Sequence, residues 1–148
     1  MQALPHRYRV KGNGRITGDV ELTAERLTML GSASPAEFDG PGDRWSPETL
    51  LVGAVADCFI LTFRAIANAS KVPWISLDCD VTGTLDRVGR VTQFTHFEMT
   101  AHLVVLAGQD AGAARHAIEK AERDCLISNS LKASVALTAT VGFAAAEG

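Results

Sequence analysis

Residues 46–69 read SPETLLVGAVADCFILTFRAIANA, a long and largely apolar stretch that is the clearest structural signal in the chain. Ser46 is a favourable N-cap residue, and Pro47 suits the first helical position because its missing N–H would have no helical partner there in any case. Pro73 stops the helical pattern shortly afterwards. The sequence therefore predicts one helix from about Pro47 to about Ala69. Nearly every side of that helix is apolar, which predicts a position at the centre of a domain or at a subunit interface.

Short apolar segments on both sides of this helix predict strands. Before it, short runs in which apolar and polar residues alternate are separated by glycines, and this pattern indicates two or three short antiparallel strands. After it, a period of two over residues 75–105 predicts a hairpin with one face in water. Asp110 can then cap a second helix that ends near Asp124, and a last strand follows over residues 134–143. A chain of 148 residues fits a single domain, residues 1–148, of the α+β class.

The charge balance argues against nucleic acid and membrane partners. The chain carries 14 basic and 17 acidic residues spread along its length, for a net charge of -3, and shows neither a basic stripe nor a polybasic cluster. The apolar stretch approaches membrane-spanning length, but Asp57 and Arg64 interrupt it, which favours a buried helix of a soluble protein. The N-terminus lacks the apolar core of a signal peptide, so the expected location is the cytoplasm.

Three cysteines are the candidate chemical residues. Cys58 lies within the predicted helix and Cys125 follows the second one, and two such thiols in an intracellular-looking chain point to redox chemistry. Cys79 lies on the apolar face of a strand with no cation nearby in sequence, so we expect its thiol to be inert. The 67-residue separation of Cys58 and Cys125 does not say whether they meet. The four histidines are scattered and no C-x-x-C occurs, so we expect no metal site.

Two parts of the chain resemble the OsmC/Ohr family of thiol-dependent organic hydroperoxide reductases. The first is the helix start Ser46–Leu50 followed by Ala54–Phe59 around the first cysteine, and the second is Asp124–Ser128 followed by a terminal strand. The resemblance covers most of the chain, including the strand order. It implies an OsmC-like fold in which antiparallel sheets surround two central helices in an intertwined homodimer. It also implies a peroxidase that needs neither a bound cofactor nor a metal.

Carried over residue by residue, the resemblance makes Cys58 the peroxidatic thiol and Cys125 the resolving thiol. Glu48 becomes the carboxylate that holds an arginine against the reactive sulfur, and Arg15 is our choice for that arginine. Arg44, four residues before Glu48, is the competing candidate. Such an arginine favours the thiolate and stabilises the leaving alkoxide.

The implied reaction converts an organic hydroperoxide to an alcohol. Cys58 becomes a sulfenic acid, Cys125 condenses with it to a disulfide, and an external dithiol, such as a lipoyl group, resets the protein. The implied partners are therefore a second copy of the chain, the hydroperoxide and the dithiol.

Helix geometry leaves the source of the glutamate open. Glu48 and Cys58 are ten residues apart, about 15 Å along a continuous helix, so one helix cannot bring both to one arginine. Either Glu48 comes from a second chain, or the helix starts later than predicted. Two residues depart from the family pattern: Asp57 stands where a small residue usually precedes the first cysteine, and Leu126 stands where proline usually follows the second.

Two other functions stay open. A dimeric binding module would keep the fold and an apolar pocket for a small ligand without efficient peroxidase chemistry, a reading that the departures at Asp57 and Leu126 favour. A thiol–disulfide sensor would use its two cysteines to switch a partner surface. Peroxide consumption with a supplied dithiol separates the peroxidase from the binding module.

Overall fold

The computed structural model describes residues 1–145, and the chain divides into two compact units, Met1–Leu51 and the part that begins at Val52. The first unit holds a three-stranded antiparallel sheet in the order β1 (Lys11–Asn13), β2 (Val20–Thr23) and β3 (Leu30–Ser32). These strands confirm the prediction of short antiparallel strands ahead of the long helix.

A hydrogen-bonded cap starts the long helix, α1 (Pro47–Ala69). The Ser46 hydroxyl accepts from the Thr49 backbone N–H at 3.1 Å, and the Thr49 hydroxyl accepts from the Ser46 backbone N–H at 2.9 Å. This reciprocal pair satisfies two backbone donors that the helical ladder leaves unpaired, so Ser46 is buried although it is polar. The predicted bounds of α1 are confirmed, and the alternative in which the helix starts later is wrong.

Helix α1 buries one narrow stripe. The buried residues recur every four positions: Val55, Phe59, Phe63 and Ala67. The Phe63 ring packs edge-on against Trp74, with 5.3 Å between the ring centroids. The opposite side of the helix stays open, and Leu61 there is 49 % exposed. Length and composition alone would allow α1 to cross a membrane, a property that it shares with core helices of soluble proteins.

The second unit is built on a three-stranded sheet in the order β4 (Ser76–Val88), β5 (Val91–Leu106) and β6 (Ser134–Ala144). Strands β4 and β5 form the predicted hairpin, with Cys79 opposite Ala101. Alternate residues of β5 are buried: Phe97, Met99, Ala101, Leu103 and Val105. The residues between them point the other way and are mostly exposed, which confirms the prediction of one wet face.

Strand β6 corrects the predicted antiparallel arrangement. It pairs with β5 in parallel, with Phe97 beside Val135, so the second sheet is mixed. The connection from β5 to β6 contains the helices α2 (Ala111–Asp124) and α3 (Leu126–Asn129). A parallel pair needs such a crossover because the chain has to return to the end of the sheet from which it came. The alternation of apolar residues carries no information on strand direction, which is why the sequence pattern missed it.

Helix α2 contributes to the core of this second unit. Asp110 caps it as predicted, because its Oδ1 accepts from the backbone N–H groups of Gly112 at 2.9 Å and Ala113 at 3.1 Å. The helix lies against β6. Its buried face is made mainly of small residues: Ala114, Ala117, Ile118 and Ala121. The predicted end at Asp124 is also confirmed, and the next residue is Cys125.

Gly83 on β4 allows α1 to approach the second sheet closely. A Cβ at this position would lie 2.9 Å from the side chain of Val52 on α1, 2.9 Å from Phe97 and 3.0 Å from Phe94. The Phe94 and Phe97 rings stack with their centroids 5.3 Å apart. Because protein interiors are close-packed, a side chain at Gly83 would have to displace either α1 or this aromatic pair.

Candidate active site

Cys58 lies in the middle of α1 and is half-buried. Its Sγ lies 3.8 Å from the Thr62 hydroxyl, one helical turn later. Residues four apart share one face of a helix, and a hydroxyl can either donate or accept, so Thr62 suits both protonation states of the sulfur. Helix α1 thus fixes the position of Cys58 while leaving its sulfur open to a small reactant.

Cys125 occupies the junction between α2 and α3. It ends the first helix and caps the second, with an extended backbone at φ −62° and ψ 107°. Its side chain is fully buried. The Ser128 hydroxyl, also buried, donates to Cys125 Sγ at 3.4 Å. The turn between the two helices therefore places a thiol and a hydrogen-bond donor together in a dry environment.

Cys58 and Cys125 are neighbours, close enough for Cys58 to influence the pKa of Cys125, and both are free thiols. Burial is the main cause that raises the pKa of Cys125, hydrogen bonds from Ser128 lower it, and the contact with Cys58 raises it again. The net pKa of Cys125 lies above its ordinary range. Cys125 is therefore a neutral thiol at neutral pH.

Cys79 is a third thiol, half-buried on the apolar face of β4. Burial is the main cause that raises its pKa to about 11, and the charges of Asp80 and Cys125 add to the effect. A thiol with such a pKa is protonated at neutral pH, in agreement with the expectation that Cys79 is inert. Across residues 1–145, no three His, Cys, Asp or Glu side chains gather as ligands for one metal ion.

Glu48 lies in the first turn of α1 with one carboxylate oxygen unsatisfied. Its Oε2 is buried and has no hydrogen-bond partner in the described part of the chain. A buried carboxylate oxygen without a donor is unfavourable. Glu48 also lines a cavity of about 770 Å³ in the first unit. It precedes Cys58 by ten residues of one continuous helix, so α1 of a single chain does not bring these two residues together.

The two candidate arginines differ in their partners. Arg44 Nε donates to Asp19 Oδ2 at 2.9 Å, and Arg44 Nη1 lies 3.0 Å from Asp43 Oδ1. The hydrogen bond to Asp19 and then the charge of Asp43 raise the pKa of Arg44. Arg15 lies in the exposed segment between β1 and β2 and forms no ion pair with any residue that the structure describes. The structure thus engages Arg44 with two carboxylates and leaves Arg15 without one.

Sequence reasoning assigned no role to three of these contacts. The contact between Cys58 and Thr62 could have been predicted from the sequence, since a hydroxyl four residues after a helical cysteine lies on the same face of the helix. The contact between Ser128 and Cys125 was also predictable, because a residue three positions after a helix-capping residue lies over the side chain of that capping residue. The pair between Asp19 and Arg44 was not predictable, because 25 residues and a loop separate the two.

The sequence model of the OsmC-like protein family matches residues 40–140, well over half of the chain. This chain belongs to that family. The uncharacterised protein YmaD of Bacillus subtilis (strain 168) is 29% identical to it over 136 residues, which cover 89% of this chain and 91% of YmaD. The predicted OsmC/Ohr family is therefore confirmed.

Solved structures of OsmC proteins share the fold. An OsmC-like protein of unknown function from Vibrio cholerae matches with a TM-score of 0.83 at 14% identity, covering 92% of this chain and 100% of that one. An organic hydroperoxide resistance protein OsmC from Legionella pneumophila, also described as a predicted redox protein and regulator of sulfide bond formation, matches with a TM-score of 0.73 at 27% identity. That match covers 95% of this chain and 99% of the Legionella chain. The α+β class with two sheets is thereby confirmed as the fold of this OsmC chain.

Proposed function

We propose that this OsmC protein is a thiol-dependent peroxidase that reduces organic hydroperoxides to alcohols. One observation carries the proposal: Cys58 and Cys125 are neighbouring free thiols, the first partly exposed and the second buried. The asymmetry suits a pair in which the accessible thiol meets the peroxide and the buried thiol meets only the product of the first step. The Legionella relative that is named an organic hydroperoxide resistance protein supports the same reaction.

In the first step, the Cys58 thiolate attacks the terminal oxygen of the hydroperoxide. The O–O bond breaks, the sulfur gains the hydroxyl as a sulfenic acid, and the alkoxide takes up a proton and leaves as the alcohol. We assign Arg15 to stabilise the thiolate and the departing alkoxide, because a guanidinium carries a permanent charge. Arg44 is less suited to this role, since Asp19 and Asp43 already neutralise it.

In the second step, Cys125 resolves the sulfenic acid. Its sulfur attacks Cys58 Sγ, the S–OH bond breaks, and the Cys125 proton joins the hydroxide to leave as water. The raised pKa of Cys125 keeps that proton on the thiol until this step. Because the two sulfurs are neighbours, the disulfide forms before a second peroxide can oxidise Cys58 to the sulfinic acid.

In the third step, an external dithiol reduces the Cys58–Cys125 disulfide. One of its thiolates forms a mixed disulfide with the protein, and its second thiol displaces the protein sulfur, so the reductant leaves as a cyclic disulfide. A lipoyl-type dithiol has the two neighbouring thiols that this exchange requires. No bound cofactor takes part in the proposed cycle.

We also propose that a homodimer completes the site. The buried Oε2 of Glu48 has no donor within residues 1–145, and ten residues of helix separate Glu48 from Cys58 of the same chain. A second copy of the chain would supply Glu48, together with the arginine that it orients, to the first copy. The open apolar side of α1, where Leu61 is 49 % exposed, is a further surface that a second copy would cover.

Peroxide consumption with dithiothreitol as the dithiol tests the proposed reaction. Cys58→Ser is expected to abolish turnover. When the peroxide is added without dithiothreitol, Cys125→Ser is expected to undergo about one attack per site and then to accumulate sulfinic acid, visible as added oxygen by intact mass, whereas the parent stops at the disulfide. Cys79→Ser is the matched control, and we expect it to turn over like the parent.

Two outcomes of that experiment would count against the proposal. A folded parent that consumes no organic hydroperoxide would remove the peroxidase function. In the absence of dithiothreitol, sulfinic acid that forms in the parent as fast as in Cys125→Ser would show that Cys125 is not the resolving thiol, even if Cys58 remains essential.

The cavity in the first unit supports a second candidate function, a binding module for a small apolar ligand. Its volume of about 770 Å³ is within the range of small-molecule sites. Much of its lining is apolar: Ile16, Val20, Leu22, Phe38, Pro41 and Leu50. Tight binding of an apolar fluorescent probe by a parent that lacks peroxide turnover would favour this function over the peroxidase.

A further inference from the structure

The Ser128 hydroxyl lies against a reacting sulfur, yet the proposed cycle gives it no role. Ser128 is 7 % exposed, and its hydroxyl donates to Cys125 Sγ at 3.4 Å. The other hydroxyl on this short segment, that of Ser130, donates instead to the Leu126 carbonyl at 2.7 Å. The Ser128 hydroxyl therefore contacts the Cys125 sulfur, whereas the Ser130 hydroxyl, two positions later, bonds to the backbone.

The exposures of the two cysteines decide which sulfur of a Cys58–Cys125 disulfide a reductant can reach. Cys125 is 0 % exposed, whereas Cys58 is half-buried. Thiol–disulfide exchange depends on access to the attacked sulfur. A dithiol that arrives from solvent therefore meets Cys58 first, and Cys125 has to leave as a thiolate in buried surroundings.

A buried thiolate is a poor leaving group unless a donor stabilises its charge. Burial raises the pKa of the Cys125 thiol, and the hydrogen bonds from Ser128 oppose that increase. Because Ser128 is itself buried, water does not compete strongly for its hydroxyl, and the hydrogen bond to a charged sulfur strengthens as the charge develops.

We propose that Ser128 is a catalytic residue of the reductive half-reaction: its hydroxyl donates to Cys125 Sγ as that sulfur leaves, and so speeds the attack of the dithiol on Cys58. The proposal rests on the proposed function only for the existence of the Cys58–Cys125 disulfide.

The reductant thiolate forms a bond to Cys58 Sγ, the Cys58–Cys125 bond breaks, and Cys125 takes the electron pair as a thiolate that accepts from Ser128. The second thiol of the reductant then loses its proton to Cys125 and displaces Cys58 from the mixed disulfide. The reductant is oxidised to a cyclic disulfide, and both protein cysteines are reduced.

The test measures the reduction of a disulfide that is formed without peroxide. In a Cys79→Ser background, diamide oxidises Cys58 and Cys125, and the rate constant for reduction by dithiothreitol is then measured. We expect Ser128→Ala to lower this rate constant about tenfold, since it removes a hydrogen bond to a charged group. Ser128→Thr keeps the hydroxyl and should restore most of the rate, and the matched control Ser130→Ala should react like the parent.

The titration of Cys125 tests the same role of Ser128 and does not depend on the kinetics of the dithiol. In a Cys58→Ser, Cys79→Ser background, Cys125 is the remaining thiol, and its titration can be followed by thiolate absorbance. Ser128→Ala should raise the pKa of Cys125, whereas Ser130→Ala should not. An unchanged titration together with an unchanged reduction rate in Ser128→Ala would overturn the proposal.

The site of attack can be mapped in the protein with native Ser128, so the test survives even if Ser128→Ala fails to fold. The diamide-formed disulfide is treated with the monothiol 2-nitro-5-thiobenzoate, quenched in acid and digested. We expect the mixed disulfide on the Cys58 peptide, and a mixed disulfide on Cys125 would overturn the proposal. Peroxide turnover is assayed separately, so a parent without peroxidase activity would refute the proposed function while the reduction rate of the diamide-formed disulfide still tests the role of Ser128.

Discussion

At the scale of single residues, the three cysteines differ in reactivity because they lie in three different environments. Cys58 is half-exposed on a helix with a hydroxyl one turn away, Cys125 is buried at a helix junction beside Ser128, and Cys79 lies on a strand beside an aspartate. Burial stabilises the neutral thiol, and a nearby negative charge does the same. Thiol chemistry should therefore concentrate at Cys58, although Cys79 and Cys125 are close to each other.

We expect iodoacetamide to label Cys58 first in the folded, reduced protein at neutral pH. Cys79 has a pKa of about 11, so the folded protein holds this proton until the pH rises toward that value. Labelling of Cys79 should therefore grow only well above pH 8.5, about where an unperturbed thiol ionises. Timed labelling at several pH values, followed by peptide mapping, measures both rates. Preferential labelling of Cys79 at neutral pH would contradict this order.

At the scale of elements, the sequence was most informative where chemical signals mark the ends of an element. Helix α1 has a capping serine and a proline at its start, and α2 has a capping aspartate, so the structure agrees with the predicted bounds of both. The hairpin of β4 and β5 was likewise predictable, because a period of two also fixes which residues face the core.

Features that depend on distant residues were not predictable. The parallel direction of β6 depends on how the chain returns through α2 and α3, and apolar alternation is the same in either direction. The approach of Cys58 to Cys125 depends on how α1 meets the α2–α3 junction, which no sequence spacing encodes. The family resemblance supplied the cysteine pair as an expectation, but it could not show that Arg44 is held by Asp19.

The contact between α1 and the second sheet gives a prediction about stability. We expect Gly83→Ala to lower the free energy of unfolding by about 1–3 kcal/mol, because the new Cβ would lie 2.9 Å from both Val52 and Phe97 and overpack the interface. Gly12→Ala on β1 is the matched control, since its Cβ would meet only Leu22, at 3.8 Å. Its effect should stay within about 0.5 kcal/mol. Urea unfolding measures both values, and equal losses in the two variants would refute the packing argument.

At the scale of the whole molecule, the proposed homodimer has to cover the open side of α1. That side carries two exposed charges, Asp57 and Arg64, and neither forms an ion pair within residues 1–145. Seven positions are close to two helical turns, so both charges project from one side, about 10.5 Å apart, with Leu61 between them. Two opposite charges at this spacing on one helix face are self-complementary.

A two-fold axis turns that self-complementarity into specific pairs. If two α1 helices pack antiparallel about a point between Ile60 and Leu61, Asp57 of each copy falls opposite the partner's Arg64, because an isologous contact exchanges residue i with residue j. The partner's Glu48 then falls near Pro73, about 22 Å along the axis from Cys58, so this register is an alternative to the dimer that supplies Glu48. The pairing would also explain why Asp57 stands where the family usually has a small residue. The unusual aspartate would serve the interface rather than the reactivity of Cys58.

Charge reversal tests this arrangement of the proposed dimer. We expect Asp57→Arg and Arg64→Asp each to raise the dimer dissociation constant about tenfold or more, since each places two like-charged pairs across the two-fold axis. The double variant restores opposite charges in swapped positions and should recover most of the affinity of the parent. Arg123→Asp on the exposed surface of α2 carries the same change in net charge as Arg64→Asp and should leave the dissociation constant unchanged. Sedimentation equilibrium at several concentrations measures all five proteins. A double variant no tighter than the single ones would exclude this pairing and leave the dimer that supplies Glu48 as the arrangement to test, whereas a monomeric parent at micromolar concentration would remove both.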